Sequence, residues 1–379
     1  MRRNSWLAMV LVMIFFGCSS DGDGGSTPGQ DDDVAPISFD RGPMLQNWAD
    51  NIILPTYQSF SSDLQDLRAS YNTFAAERTT QNLRSLRDAW ETAYSSWQQV
   101  SMFEIGPAEA LGFRLNMNTY PTDVELVENY ISSGNYDLTV PSSRDAKGFP
   151  ALDYLFNGLE TDDNALVLRF DSGADSGNRL AYVGDVIDDM ISLTEEVISQ
   201  WDTGYRDTFV SNDGSSATAS TDKFVNDFIF YYEKFLRAGK MGIPLGVFTG
   251  TPAPNTIEAF YKEELSQQFF LTGLQAVQDF FNGKHFGSSA TGESLASYLR
   301  SLNEVKDGVA LDAVINSQLD EARELVTGLG TFRQEIENNN PPTNMLLAYD
   351  EVQRAVPLFK VDMVSAMSIS IDFVDADGD

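Results

Sequence analysis

An amphipathic helix is encoded in residues 83–97, which read LRSLRDAWETAYSSW. The large apolar residues recur every three or four positions, which places them on one face of an α-helix and the charged residues on the other. They are Leu83, Leu86, Trp90, Tyr94 and Trp97. A stripe of this kind is typical of a helix that packs into a protein core. We therefore predict that these aromatic residues fill the core rather than form a platform for a ligand.

The same periodicity extends along most of the chain. Upstream, Leu64, Leu67, Tyr71 and Phe74 form a similar stripe, in a first helix that we expect to break near Pro55. Further helices are predicted at about residues 176–202, 221–240, 255–282, 306–335 and 343–367. The fold class is therefore predicted to be all-α, with almost no sheet.

Two irregular stretches interrupt the helical pattern, at residues 106–148 and 239–254, and both contain several prolines and glycines. A third break, the polar cluster at residues 211–216, lies near the middle of the chain. We predict two packed helical-bundle halves, residues 37–210 and 211–379, with irregular Pro/Gly-rich connections.

The first residues have the pattern of a lipoprotein signal. Arg2 and Arg3 precede an apolar run at residues 6–16, and Gly17 and Cys18 follow it. The run is shorter than the roughly 20 apolar residues that a spanning helix needs. We predict that residues 1–17 are cleaved and that lipidated Cys18 anchors the protein to a membrane through a flexible acidic tether, residues 18–36. The alternative is an ordinary signal peptide with an incidental cysteine.

The residues after Cys18 suggest where the protein resides. Ser19 and Ser20, rather than Asp, follow the cysteine, which is typical of lipoproteins sent to the outer membrane. We therefore expect a cell envelope protein that faces the periplasm or the cell surface. The lone cysteine excludes an internal disulfide.

The composition excludes some partners. The formal net charge of −31 would repel nucleic acid and anionic membrane surfaces. It would attract cationic partners and hard metal ions, although an acidic surface that keeps the protein soluble is the simpler interpretation. With 42% hydrophobic residues, the chain can bury a substantial core.

The single histidine restricts the chemistry further. Catalytic zinc sites commonly use two or three histidines, so His285 cannot form one alone, and no HExxH motif exists. Glycine-rich surroundings make His285 a loop residue between helices. Any metal site would consist mostly of oxygen ligands, which suit iron(III) or calcium.

Four segments carry a resemblance to a known family: residues 52–60 (IILPTYQSF), Trp90 to Pro107 ending in EIGP, residues 147–156 (KGFPALDYLF), and the closing residues 361–379. In this order and spacing they resemble the imelysin family, and the ending resembles its Bacteroidetes members. The family includes peptidases and iron-regulated envelope proteins. The resemblance implies an all-helical fold with a pocket between its halves.

The family motif G-x-H-x-x-E is altered in this chain. Gly148 matches the glycine, but Pro150 stands in place of the histidine and Asp153 in place of the glutamate. Proline has no nitrogen lone pair for a metal and no proton to transfer. The resemblance therefore implies the fold more strongly than the catalytic activity.

Glu104 and Arg114 are the remaining candidates for a site. If the family pocket brings them against Asp153, they form an Arg–carboxylate cluster together with Gly148 of the motif. The functional interpretation is a pocket for an anion or a metal, in which Asp153 and Glu104 bind iron(III) or calcium modestly. The alternative is a buried ion-pair network that only pins the irregular segments.

Our leading hypothesis is a non-catalytic imelysin-like envelope lipoprotein that binds a ligand or metal and is linked to iron uptake. Its expected partners are the membrane through Cys18, a small ligand or metal and another envelope protein, but not nucleic acid. The alternatives are an imelysin-type metallopeptidase, which the missing histidine opposes, and a surface protein-interaction module.

Overall fold

The computed structural model describes residues 39–371 and confirms that the fold is almost entirely helical. The predicted signal segment, Cys18 and the tether lie outside the described residues, as does the chain from residue 372 onward. Within the described range, no helix combines the length and the apolar character needed to cross a bilayer.

The secondary structure consists of helices with one small hairpin. The α-helices are α1 (Arg41–Asn47), α2 (Leu54–Ala76), α3 (Thr80–Val100), α4 (Pro107–Leu111), α5 (Phe113–Met117), α6 (Val124–Ser133), α7 (Gly148–Asp153), α8 (Asp163–Asp171), α9 (Ser176–Gln200), α10 (Arg206–Ser211), α11 (Ser220–Phe230), α12 (Ile243–Leu245), α13 (Leu265–Phe281), α14 (Leu295–Leu302), α15 (Leu311–Thr327), α16 (Phe332–Asn338), α17 (Thr343–Pro357) and α18 (Val364–Ala366). Wider π-helical turns lie at Trp48–Ile53, Tyr154–Gly158, Trp201–Tyr205, Tyr231–Gly242 and Leu358–Met363, and 3-10 turns at Pro141–Ala146 and Pro254–Thr256. The strands β1 (Val305–Lys306) and β2 (Val309–Ala310) pair antiparallel, with Val305 opposite Ala310.

Side-chain caps begin several of these helices. Thr79 accepts a hydrogen bond from the Asn82 amide at 3.1 Å where α3 starts. Asp123 does the same for the Leu126 amide at 2.9 Å before α6. The caps satisfy amide groups that the first turn of a helix leaves without partners.

The core forms around α2, which packs against α3 and α9. Trp90, Tyr94 and Trp97 are almost fully buried, which confirms that they are core residues. Helix α13 packs against both α3 and α15, and α15 packs against α17. Helices from the two sides of residue 211 are therefore in direct contact, while the division into halves at that point stays a prediction.

The expected break near Pro55 was wrong. The chain continues from α1 through the π-helical turn Trp48–Ile53 into α2, and Pro55 stands in the first turn of α2. The wider π-helical turn just before Pro55 accommodates the proline, whose ring and missing amide would disturb a regular α-helical turn.

The helix expected at residues 255–282 begins only at Leu265. Residues 257–264 form turns, and Ala259 has a φ of 54°, a left-handed conformation that cannot continue an α-helix. In this turn-rich segment Glu258 is buried and Tyr261 is half-buried, and both bind residues of the N-terminal half of the sequence.

The helix expected at residues 306–335 is also shorter than predicted. Its first residues form the hairpin of β1 and β2, whose turn residues Asp307 and Gly308 have positive φ angles. An Asp-Gly pair favours this type of two-residue turn. The helix α15 then starts at Leu311 and ends at Thr327.

Candidate functional site

A cavity of about 520 Å³ lies between residues 104–115 on one side and residues 205–235 on the other. We call it the Arg114 cavity. Its lining includes Glu104, Arg114, Tyr205, Phe209, Asp227 and Phe235. The volume is within the usual range for a small-molecule site, and the wall combines aromatic rings with a few charged groups.

Arg114, on α5, is the centre of the charged wall and is only 5% exposed. Its Nε donates to the Ser101 carbonyl oxygen at 2.7 Å, and its Nη2 donates to the two Asp227 carboxylate oxygens at 3.1 and 3.3 Å. The guanidinium carbon lies 4.6 Å from the ring centre of Phe235 and 5.3 Å from that of Tyr231. The charge of Arg114 is therefore held by carboxylate contacts and by aromatic faces.

Glu104 follows the end of α3 and links both neighbours. Its backbone amide donates to Asp227 Oδ2 at 3.2 Å, and its Oε2 accepts from the Arg114 backbone amide at 2.6 Å. Burial raises the pKa of Glu104 to about 7, with Arg114 acting in the opposite direction and Asp227 adding repulsion. A buried carboxyl group with a raised pKa is typical of a functional site, although ion-pair networks also shift pKa values.

Asp227 lies on α11 and completes this cluster. Burial raises its pKa to about 6, while the Arg114 charge and hydrogen bonds lower it. Sequence reasoning missed Asp227. The available signal was a carboxylate within the apolar stripe of Phe224, Val225 and Phe228, where an acidic residue needs a buried partner.

Two glycines shape the wall locally. Gly106 has a φ of 53°, and a Cβ there would lie 2.1 Å from Cζ of Tyr205. Only glycine therefore lets the chain turn into α4 against the Tyr205 ring. Tyr205 belongs to the π-helical turn Trp201–Tyr205, where Gly204 kinks the backbone with a φ of 148°. Such wide turns often occur at functional sites.

Asp153 lies elsewhere, at the end of α7, and is 1% exposed. Its Oδ2 accepts from the Tyr261 backbone amide at 2.9 Å and its Oδ1 from Asn157 Nδ2 at 3.0 Å. Burial raises its pKa to about 7. The bond from the Tyr261 amide fastens the turn-rich segment 257–264 to α7.

The expected cluster of Asp153 with Glu104 and Arg114 was wrong. No hydrogen bond or ion pair among the described residues joins Asp153 to either of them. The guanidinium of Arg114 is instead engaged by Ser101 and Asp227. The sequence thus indicated the correct arginine and glutamate but assigned them the wrong second carboxylate.

Gly148 is required by the backbone, whatever its part in ligand binding, which stays a prediction. Its φ is 70°, and a Cβ would lie 2.2 Å from the carbonyl oxygen of Met117. Pro150 is buried in the first turn of α7, where its missing amide is tolerated. The altered motif Gly148 to Asp153 therefore lies against Met117 at the end of α5 and binds Tyr261 of the turn-rich segment 257–264.

A second buried network was not expected from the sequence. Lys240 binds the Gln98 side-chain oxygen at 2.7 Å and is ion-paired with Glu258. Glu258 also accepts from Asn118 Nδ2 at 2.7 Å. Burial lowers the pKa of Lys240, and Glu258 opposes this effect. The four residues are far apart in sequence, so no local pattern could have indicated the contact.

His285 lies in the loop between α13 and α14, as expected, and its backbone amide donates to the Ala290 carbonyl oxygen at 2.9 Å. It lines a different cavity, of about 440 Å³, with Lys284 and Asp279. None of the residues of the altered motif, Gly148 to Asp153, lines that cavity. The histidine therefore does not take the place of the one that the motif lacks.

The proposed metal ligands do not fit a shared ion. Glu104 and Asp153 have separate partners, and the described residues contain no group of three or more His, Cys, Asp or Glu side chains placed to hold a metal ion. Metal binding by either residue stays a prediction.

Fold and cavity together define an all-helical protein with a buried Arg–carboxylate cluster beside an aromatic-lined cavity. The sequence profile of the Imelysin family matches residues 53–355. The chain belongs to the Imelysin family.

Individual relatives agree with this assignment. Iron-regulated protein A of Synechococcus elongatus is 33% identical over 79 residues, which is 21% of this chain and 22% of the relative. The match therefore spans about a fifth of that relative's length.

Two crystal structures share the fold. A Parabacteroides distasonis protein described as an iron-regulated protein A precursor has a TM-score of 0.67 at 16% identity, covering 85% of this chain and 94% of that one. An imelysin-like protein of Psychrobacter arcticus has a TM-score of 0.69 at 15% identity, covering 88% and 97%. At these identities the likeness extends to the fold alone.

Proposed function

We propose that this chain is a non-catalytic, ligand-binding member of the Imelysin family, and that its ligand occupies the Arg114 cavity. The observation that carries the proposal is the guanidinium of Arg114, which lies almost fully buried in the wall of a 520 Å³ cavity, 3.1 Å from the Asp227 carboxylate and 4.0 Å from that of Glu104. Burying these charged groups costs desolvation energy, and the packing of the core does not require charged groups at this place.

Two sequence features support a non-catalytic role. Pro150 replaces the histidine of the family motif and offers neither a metal ligand nor a general base. The single histidine of the chain, His285, belongs to a different cavity. Hydrolysis would have to depend on carboxylates alone.

The setting that we propose is the cell envelope, in a process connected with iron. The lipoprotein pattern ending at Cys18 supports the location. The name iron-regulated protein A, carried by a relative and by a structural neighbour, supports the connection with iron. The corresponding test measures how much protein cells contain with and without an iron chelator, and we expect iron limitation to change the amount.

Native mass spectrometry of the full chain, purified from its own membranes in mild detergent, tests ligand binding directly. Thr208 lines the Arg114 cavity, and a Thr208→Trp substitution would fill part of it. The matched control is Thr272→Trp, because Thr272 lines a separate cavity of about 500 Å³. Both threonines donate to the carbonyl oxygen four residues earlier, Thr208 to Gly204 and Thr272 to Gln268.

We expect a small-molecule adduct on the wild-type protein and on Thr272→Trp that is lost from Thr208→Trp. An adduct that all three proteins retain equally would show that the ligand binds outside the Arg114 cavity. Insulin cleavage by the purified wild type, abolished by a metal chelator, would favour the peptidase alternative instead.

A further inference from the structure

On Arg114 and Glu104, which both line the Arg114 cavity, one donor and one acceptor have no hydrogen-bond partner among the described residues. Of the three guanidinium nitrogens of Arg114, Nη1 makes no hydrogen bond with any described residue, while Nε and Nη2 are both engaged. On Glu104, Oε2 accepts from the Arg114 backbone amide, and Oε1 accepts nothing from the described part of the chain. Both residues line the cavity. A ligand there can therefore meet a hydrogen-bond donor of Arg114 and an acceptor of Glu104 that the described residues leave unused.

The charge of the wall favours a cation. Glu104, Glu109 and Asp227 face the cavity together with Arg114 and Lys223, so carboxylates outnumber cationic groups. Glu109 is close enough to repel the charges of both Glu104 and Asp227, which raises the pKa of each. A positively charged ligand relieves this repulsion, and the acidic protein as a whole attracts it.

A bare metal ion is a poor match for this wall. Both oxygens of Asp227 and one oxygen of Glu104 already accept hydrogen bonds. Hard cations such as calcium need six or more oxygen ligands, according to general coordination rules. A single metal ion would also leave most of the 520 Å³ empty.

The wall already accommodates an organic cation. The guanidinium of Arg114 is itself stacked on Phe235 and Tyr231. Further rings, those of Tyr205 and Phe209, line the cavity and offer apolar faces to a guest.

We propose that the ligand of the Arg114 cavity is an organic ammonium ion with an aromatic or other apolar body and a neutral oxygen acceptor. The ammonium group donates to Oε1 of Glu104, and the neutral oxygen accepts from Nη1 of Arg114. A ligand carboxylate is disfavoured at Nη1, because Glu104 and Asp227 already balance the charge of this arginine. The inference rests on the proposed function, since it names the chemical class of the ligand at the same cavity.

Isothermal titration of the full chain in detergent with 2-amino-1-phenylethanol tests the inference. This probe carries an ammonium group, a hydroxyl group and an aromatic ring. The matched anion is 3-phenylpropionate, and calcium and iron(III) serve as metal probes. We expect the amine to bind about tenfold more tightly than the anion, because carboxylates outnumber cationic groups in the wall of the cavity.

Two variants locate the contact. Glu104→Gln should weaken amine binding about tenfold through loss of a charge-assisted hydrogen bond. Glu109→Gln should weaken it severalfold, and because Glu109 is exposed this variant tests the inference even if Glu104→Gln folds poorly. The control is Glu337→Gln, an exposed residue of α16 that pairs with Arg333 and should leave binding unchanged.

The outcomes separate the inference from the proposed function. Tighter binding of the anion or a metal, lost in Thr208→Trp, overturns the ammonium inference but keeps a ligand in the cavity. Amine binding that is equal in wild type, Glu104→Gln and Glu109→Gln also overturns the inference, because the amine then binds elsewhere. If no probe binds and Thr208→Trp removes no native adduct, both the inference and the proposed function fail.

Discussion

Arg114 and Asp227, 113 positions apart in the sequence, are joined by hydrogen bonds of 3.1 and 3.3 Å from one guanidinium nitrogen to both carboxylate oxygens. The contact links α5 to α11 and fixes the charged wall of the Arg114 cavity. Because the Arg114 side chain is only 6% exposed, its charge depends on this partner for compensation.

The first prediction concerns this ion pair. Asp227→Asn should lower the free energy of unfolding by about 3 kcal/mol, because it leaves a buried guanidinium with little counter-charge. Chemical denaturation of the variant measures the effect. The control is Asp207→Asn, which removes the exposed partner of Arg206 and should change stability by less than about 0.5 kcal/mol. Equal, small effects of both substitutions would contradict the structural importance of the buried pair.

The second prediction concerns pH. The pKa of Asp153 is raised from 3.8 to about 7 by burial, so between these values the folded protein retains a proton that the unfolded chain has lost. The free energy of unfolding therefore falls as the pH rises through this window. Glu104 and Asp227 act in the same direction, so only a comparison with a variant isolates Asp153.

Asp153→Asn cannot ionise and should lack this part of the pH dependence. Relative to the wild type it should gain stability between about pH 4 and pH 7, by an amount on the order of 1–3 kcal/mol. Denaturation midpoints measured across this range provide the comparison. Parallel stability curves for the two proteins would mean that Asp153 has the same pKa in the folded and unfolded chain.

The third prediction concerns the motif glycine. Gly148→Ala should destabilise the protein by at least about 2 kcal/mol, because the alanine must adopt a left-handed conformation and its Cβ meets the Met117 carbonyl oxygen. Gly177→Ala is the control, since a Cβ there meets nothing within 4 Å in the first turn of α9. It should be neutral or stabilising by up to about 1 kcal/mol. A neutral Gly148→Ala would contradict the backbone requirement for glycine at this position.

The fourth prediction concerns location. Cys18→Ser should move the mature protein from the membrane fraction to the soluble fraction, because no acyl chain could then be attached at that position. Fractionation followed by immunoblotting measures the change. Undiminished membrane retention would contradict the lipid anchor.

Helical periodicity made the fold class predictable. Buried aromatic residues such as Trp90 and Trp97 form a stripe that requires only local spacing to recognise. The π-helical turns and the left-handed Ala259 were not predictable, because tertiary packing rather than local spacing imposes them. For that reason the helix expected at residues 255–282 begins later than predicted, at Leu265.

The site was predictable only in part. Glu104 and Arg114 lie ten positions apart and were predicted as site residues because they flank an irregular, proline-containing segment. Their partner Asp227 comes from a distant helix, and a single sequence does not reveal which distant carboxylate an arginine binds. Asp153 was chosen because it lies in the family motif, whereas the structure gives it the amide of Tyr261.

Hydrogen–deuterium exchange tests the central claim, that the ligand occupies the Arg114 cavity, most directly. The exchange of the full chain as purified with its small-molecule adduct is compared with that of the same protein after the adduct has been dialysed away. We predict faster exchange after removal in residues 104–115 and 205–235, which line the cavity, and no change in residues 148–158. Changes confined to residues 148–158 and 257–264, around the altered motif and its contact with Tyr261, would contradict the account.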